Sequence, residues 1–293
     1  MTDTPGLDHF IAVRPRLFGI AYRMLGSATE AEDILQEVWL RWQDYDHSSV
    51  ESPGAFLATT TTRLSINAAT SARARHETYI GPWLPEPVDT SADPALGAER
   101  GEALEFAVLL LLEKLSPVER AAYVLREAFA YSFREIADVL EIAESNARQL
   151  AVRARAHIDG SRSRPVTEGD RDRLLAAFIA AAQSGDIAAL EAVLTSDARS
   201  LSDGGGVVLA ARKPILGRQR VAQFLLGVLE KFASDLEPVP VMANGDVAMI
   251  GLRNGVVAAF WTADVTPEGI AGLYIVLNPG KLSQFGSLSS PSS

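Results

Sequence analysis

The chain contains no cysteine. That excludes a disulfide framework, cysteine-ligated zinc and thiol nucleophiles, and it fits a reducing compartment. The four histidines, His9, His47, His76 and His157, are too scattered for a metal set. A Walker loop, a dinucleotide fingerprint and an ordered Ser/His/Asp set are all missing. No metal and no cofactor is therefore expected. Apolar residues make up 47% of 293 positions. They never run uninterrupted to the roughly 18 residues of a spanning helix, so no membrane association is expected. The start, MTDTPGLDHF, has neither a basic n-region nor an apolar h-region, and the expected compartment is the cytoplasm. Bases are in deficit: 27 against 37 acids give a net charge of −10, with a pI near 5.0. Such a balance is unlike a nucleic-acid binder unless the bases are concentrated locally.

What is present is helical punctuation. Leu17, Phe18, Ala21, Met24 and Leu25 repeat with the spacing of one buried helical stripe, which Gly26 ends. Ser27 followed by Glu30 fits a capping box for the next helix, with stripe Ile34, Leu35, Val38, Trp39 and Trp42. Ser52-Pro53 marks a third start. Residues 80–100 hold four prolines and two glycines, too many breakers for a helix, so this stretch is a linker whose Trp83 and Leu84 predict partial docking. Ser116 with Glu119 and Ser132 with Glu135 cap further helices. Phe133, Ile136, Ala137 and Leu140, then Ala147, Leu150 and Ala154 after a turn at 141–143, read as a helix-turn-helix. A second linker covers 161–166. Beyond it come helical patterns at 174–182, 187–194 and 217–232, then strand-like runs at 239–243, 246–252, 256–262 and 270–277. Asn244-Gly245 and Asn254-Gly255 separate the first three runs, a strong hairpin signal. The expected fold is two all-α domains followed by an α+β domain with a curved antiparallel sheet.

The bases are concentrated. Residues 63–76 carry three arginines and a histidine with no acid, and 145–164 carry five arginines against Asp159. Residues 81–117 between them hold seven acids and two bases. Two basic islands suit two separated contacts with a polyanion; the plain alternative is basic helix ends facing the helix dipole. In a helix-turn-helix the second helix enters the major groove. With its stripe inward, Ser145, Asn146, Arg148, Gln149 and Arg153 face out and can read base edges; a hairpin used only for packing is the alternative.

LFGIAYRMLGSATEAEDILQEVWLRW resembles the core-polymerase-binding helices of extracytoplasmic-function sigma factors of the sigma-70 family. PGAFLATTTTRLSINAATSARARHETY resembles that family's reader of the minus-ten promoter element, and residues 132–157 its minus-thirty-five reader. WLPEP at 83–87, DGGG at 203–206 and NPGKL at 278–282 resemble the sigma-J-like subgroup, which carries a SnoaL-like C-terminal domain. The resemblance implies sigma region 2 over 1–80, a linker over 81–100, region 4 over 101–160 and a SnoaL-like cone over 167–285. It implies two partners: core RNA polymerase, through its β′ and β subunits, and promoter DNA, as minus-thirty-five duplex and melted minus-ten strand. Asp33, Gln36, Glu37 and Arg41 would grip polymerase. Arg63, Ser65 and Asn67 would belong to a loop that captures a flipped minus-ten base, with Arg73 and Arg75 on phosphates. Trp83, Leu84, Pro85 and Glu86 would meet Asp203, Gly204, Gly205, Gly206, Asn278, Pro279 and Lys281 in an interdomain regulatory contact.

SnoaL-like cones include cyclases and isomerases that use a pocket carboxylate or histidine. No histidine follows His157, and Asp203-Gly-Gly-Gly is by itself a turn. Catalysis is therefore not expected, though the cone leaves room for a small-molecule ligand of unidentified class. Two rival readings stand beside the sigma factor: a helix-turn-helix regulator acting without polymerase, and a cyclase or isomerase with a DNA-binding appendage.

Overall fold

The computed structural model describes residues 6–90, 105–160, 166–232 and 235–285. Residues 91–104 of the first linker and the start of the second helical segment, 161–165 of the second linker and second basic island, and the serine-rich end lie outside the described residues. The chain forms two compact units. One comprises 1–78 and 90–162, the other 79–89 and 163–293.

In the first unit, α1 (Leu7–Leu25), α2 (Ala28–Gln43) and α3 (Pro53–Glu77) form a bundle. The α1 stripe is buried as its spacing predicts, and Gly26 ends the helix at φ 65. On α2, Leu35, Val38 and Trp42 are buried while Ile34 and Trp39 are half-buried. Only half of the expected capping box forms: Ser27 accepts from the Glu30 amide, but the Glu30 carboxylate pairs with Arg75 instead. The α3 helix buries Thr61 and Thr62, whose hydroxyls donate to the carbonyls of Leu57 and Ala58 at 2.8 Å. This local bonding lets a threonine run sit inside a helix without leaving polar groups orphaned.

The helices that follow are α4 (Phe106–Leu112), α5 (Pro117–Tyr123), α6 (Phe133–Leu140) and α7 (Glu144–Asp159). Both expected capping boxes, Ser116 with Glu119 and Ser132 with Glu135, form in full. Ala147, Ala151, Ala154 and Ile158 make the buried face of α7, with Leu150 only half-buried. The two expected helical domains are present, and their helices pack together within one compact unit. The seam is made by charge. Arg120, almost fully buried, donates to the Met24 carbonyl at 2.6 Å and to Glu113 at 2.5 Å. The Met24 carbonyl lies in the last turn of α1, where no helical amide can reach it. His76 of α3 stands 3.5 Å from the same Glu113, and Arg23 lies over the Phe129 ring at 5.2 Å.

In the second unit, α8 (Glu168–Ser184), α9 (Ile187–Val193) and α10 (Arg218–Phe232) pack on one face of a sheet. Its strands are β1 (Leu194–Asp203), β2 (Ile215–Leu216), β3 (Glu237–Ala243), β4 (Asp246–Arg253), β5 (Val256–Thr266) and β6 (Gly269–Val276). Their order is β2-β1-β6-β5-β4-β3. The sheet is mixed rather than antiparallel, because β1 pairs with β6 in parallel. The Asn-Gly hairpins are as expected. Asn244 (φ 56), Gly245 (φ 78), Asn254 (φ 54) and Gly255 (φ 76) all take the left-handed region that a two-residue turn demands. Ala198, Val221, Leu225, Ile270 and Leu273 center the core between sheet and helices.

The seam of the first unit carries a pH dependence. Burial alone would raise the Glu113 pKa, but the His76 hydrogen bond and the Arg120 guanidinium outweigh it and hold the carboxyl below its ordinary 4.5. A depressed folded value means stabilisation that is complete above the unfolded pKa and lost as pH falls through the folded one. The resistance of the full chain to denaturant should fall below pH 4.5, and Glu113→Gln should flatten that acid limb. Equal acid limbs in variant and parent would refute the assignment.

Candidate functional site

Three groups of side chains were singled out by sequence, and each can now be placed. Asp33, Gln36, Glu37 and Arg41 are all exposed on α2, opposite the buried Leu35, Val38 and Trp42. Their spacing puts them on one helical face, and Glu37 pairs with Arg41 at 2.8 Å. The segment from Arg63 to Asn67 is a correction: it lies inside the continuous helix α3, not in a loop. Ser65 is a second correction. It is 0% exposed, and its hydroxyl has no hydrogen-bond partner among the described residues, so it faces the bundle and not a nucleic acid. Asn67, Arg73 and Arg75 are exposed on the same helix.

On α7, Ser145, Asn146, Arg148, Gln149 and Arg153 are exposed together, beginning in the first turn. The Glu141 backbone makes the turn before it at φ 55. Arg148 lies over the Phe133 ring at 4.7 Å, with Arg126 over the same ring at 4.6 Å. Phe133 was read only as a core residue; its neighbours make it a platform that orients Arg148. Arginines named as DNA contacts have carboxylates close by: Arg63 with Glu141, Arg75 with Glu30, Arg148 with Glu144 and Arg153 with Glu119.

The third group converges on Asp203 in the second unit. β1 delivers this carboxylate to a place where it is 0% exposed. Lys281 Nζ donates to it at 2.7 Å, the Tyr79 hydroxyl at 2.6 Å, the Leu84 amide at 2.9 Å and the Gly205 amide at 2.9 Å. Its main-chain carbonyl accepts from the amides of Leu277 and Asn278 at 2.7 and 3.0 Å. Burial, and then the adjacent Asp203, push the Tyr79 phenol well above its ordinary value, so it stays a donor. Asn278 Nδ2 donates to the same phenol oxygen at 3.0 Å, and Pro279 opens the short turn that carries Lys281.

Lys281 also donates to the Leu84 carbonyl at 2.5 Å and lies over the rings of Trp83 (4.3 Å) and Tyr79 (5.1 Å). Leu84, Pro85, Glu86, Pro87 and Val88 are buried. The glycines are there for backbone reasons. A Cβ at Gly204 would stand 2.2 Å from the Val208 carbonyl oxygen. Gly205 and Gly206 take φ 62 and 74, with Gly206 against Ile80. Sequence reasoning missed Tyr79 and Asn244. Asn244 accepts from the Val88 amide at 3.1 Å and donates its own amide to the Val88 carbonyl at 2.9 Å, extending the strap to the sheet edge. Its Asn-Gly context signalled only a turn. With every oxygen of Asp203 engaged, this carboxylate has the geometry of an anchor, not of an acid or base.

Among the described residues, no group of three or more His, Asp or Glu could hold a metal ion, and no helix is long and apolar enough to cross a membrane. Residues 10–75 match the family model for Sigma-70 region 2, and residues 105–158 match that for Sigma-70, region 4. The chain is 34% identical over 284 residues to the ECF RNA polymerase sigma factor SigJ of Mycobacterium tuberculosis, across 87% of this chain and 90% of the relative. It is 30% identical over 276 residues to the probable ECF RNA polymerase sigma factor SigI of the same organism, covering 92% of each. The crystal structure of the M. tuberculosis extracytoplasmic function sigma factor SigJ superposes with a TM-score of 0.77 at 30% identity, over 95% of this chain and 98% of that one.

The Asp203 site has a direct test. Lys281→Met strands a fully buried carboxylate without its cation, a loss of about 3–5 kcal/mol. It should lower the denaturant midpoint and speed protease cleavage in 79–89, and adding Asp203→Asn should recover part of the loss. A Lys281→Met chain that unfolds like its parent would refute the anchoring role.

Proposed function

The chain belongs to the extracytoplasmic-function branch of the sigma-70 family, and we propose that it binds core RNA polymerase through α2 and directs it to promoters read by α3 and α7. The observation that carries this reading is the row Ser145, Asn146, Arg148, Gln149 and Arg153, exposed on the second helix of a well-capped helix-turn-helix. Asn and Gln suit adenine, and Arg suits guanine or phosphate. Asp33, Gln36, Glu37 and Arg41 form the polymerase-facing set, directed at the β′ subunit. Arg63, Asn67, Arg73 and Arg75 face the minus-ten strand once the helical unit opens; Ser65 supports α3 from within.

The SnoaL-like domain modulates this activity in cis. The support is chemical and topological. The segment 79–89 lies in sequence between the region 2 and region 4 matches, and Asp203, Lys281 and Asn244 hold it. Whatever stabilises or loosens the SnoaL-like domain therefore alters the reach of the connector between the two promoter-reading regions. Asp203 serves as an anchor there and not as a catalyst.

Purified core polymerase supplied with this protein should transcribe specifically from promoters that the pair enriches; no specific transcript from any of them would defeat the reading. Arg148→Ala should weaken promoter use and, where a phosphate contact is lost, reduce the salt slope by about 0.9. Phe133→Leu keeps every charge, so it should leave that slope unchanged while blurring discrimination among minus-thirty-five sequences. A Phe133→Leu protein with parental discrimination would remove the platform role.

A further inference from the structure

Arg63 has every guanidinium nitrogen committed. Nε donates to the Val139 carbonyl at 2.8 Å, Nη2 to the Asp138 carbonyl at 3.2 Å, and Nη1 pairs with the Glu141 carboxylate at 2.9 Å. The carbonyls belong to the last turn of α6, the first helix of the helix-turn-helix, where intrahelical partners run out. A cation at that position also meets the negative end of the helix dipole. Arg63 thus caps the helix that supports the recognition helix, although it is borne on the opposite promoter-reading module.

Glu141 strengthens the case. It takes φ 55, a left-handed conformation that glycine adopts freely and that any Cβ resists. A glycine would make this turn with less strain and carry no anion. The residue present brings a carboxylate to Arg63, and its side chain is 74% exposed. An exposed pair is weak and yields to a competing phosphate.

We infer that Arg63 is an autoinhibitory latch: in the free protein it closes region 2 onto the turn of region 4, and release of this contact frees the same guanidinium for promoter phosphate. The inference rests on the proposed function in that it takes Arg63 as a promoter-facing residue. The latch excludes simultaneous use of Arg63 by DNA and by α6, so opening of the helical unit and minus-ten contact are one coupled step. Polymerase or DNA that binds the open form shifts the balance by its preference for that form.

The chain has no cysteine, so exposed Ser71→Cys and Val152→Cys give a unique pair of spin-label sites on α3 and α7 of the full-length protein. Arg63→Ala and Glu141→Gln should each enlarge the long-distance population relative to the parent. Glu141→Gln should also tighten binding of the free chain to mixed-sequence duplex DNA at low salt by about one-and-a-half- to fivefold, as expected for loss of one exposed ion pair. Glu51→Gln removes the same charge from an exposed site away from the latch and should do neither. If Glu141→Gln changes neither the distance distribution nor DNA binding beyond Glu51→Gln, the latch is overturned. Absence of core-dependent transcription alongside a clear distance response would sink the promoter reading and leave the latch standing.

Discussion

A carboxylate taken out of water must be met on every side, and Asp203 sets that demand for the second unit. Its partners come from three separate stretches of sequence: Tyr79 and Leu84 from the strap, Gly205 from the loop after β1, and Lys281 from the turn after β6. No one of those stretches could hold an extended, proline-rich segment by itself. A strap of this composition cannot form a helix and has few amides to spare for a sheet, so it docks by burying side chains and by lending the Leu84 amide and carbonyl to a charged pair. The loop that follows folds back on Asp203, with the Gly205 amide reaching Oδ1, and its glycines meet the close approach to Val208 and the left-handed backbone that this loop takes.

The first unit meets the same constraint with the opposite charge. Helices end with carbonyls that nothing in the helix can satisfy, and two arginines supply the missing donors across the seam: Arg120 at the end of α1 and Arg63 at the end of α6. They differ in burial. Arg120 is nearly sealed and has Glu113 and His76 beside it, so breaking it leaves a charge unpaired in a dry place. Arg63 is at the rim, where water and phosphate can replace the lost bonds. The seam therefore has a firm centre and a yielding edge.

Much of this was legible because the signals were local. Capping boxes, the α1 stripe and the Asn-Gly turns depend on a few neighbouring residues and on backbone geometry that tolerates few alternatives. What was not legible depended on distant partners. β1, with the sequence LTSDARSLSD, is too polar to announce itself as a strand; it is one because β6 offers it a parallel edge and Ala198 an apolar anchor. The family resemblance implies a DNA-facing loop that includes Ser65, yet the helical period turns it inward two residues from an exposed Arg63. Tyr79 carries no motif and Asn244 only that of a turn, so their roles in the anchor follow only from where Asp203 and Val88 lie.

The acidic balance of the chain, which first argued against nucleic-acid binding, takes on a different meaning once the arginines are located. Glu30, Glu119, Glu141 and Glu144 each stand beside an arginine assigned to DNA. Such exposed pairs add little to stability, but they occupy positive charges with an intramolecular anion. A polyanion must then displace carboxylates as well as counterions, and its gain in free energy per phosphate is smaller than for a bare basic helix. Such pairing lowers the gain from phosphate contacts alone, the only contacts that a mismatched duplex supplies in full. On the proposed function, the complex it favours is one in which polymerase holds the α2 face and the promoter supplies base contacts in addition to charge.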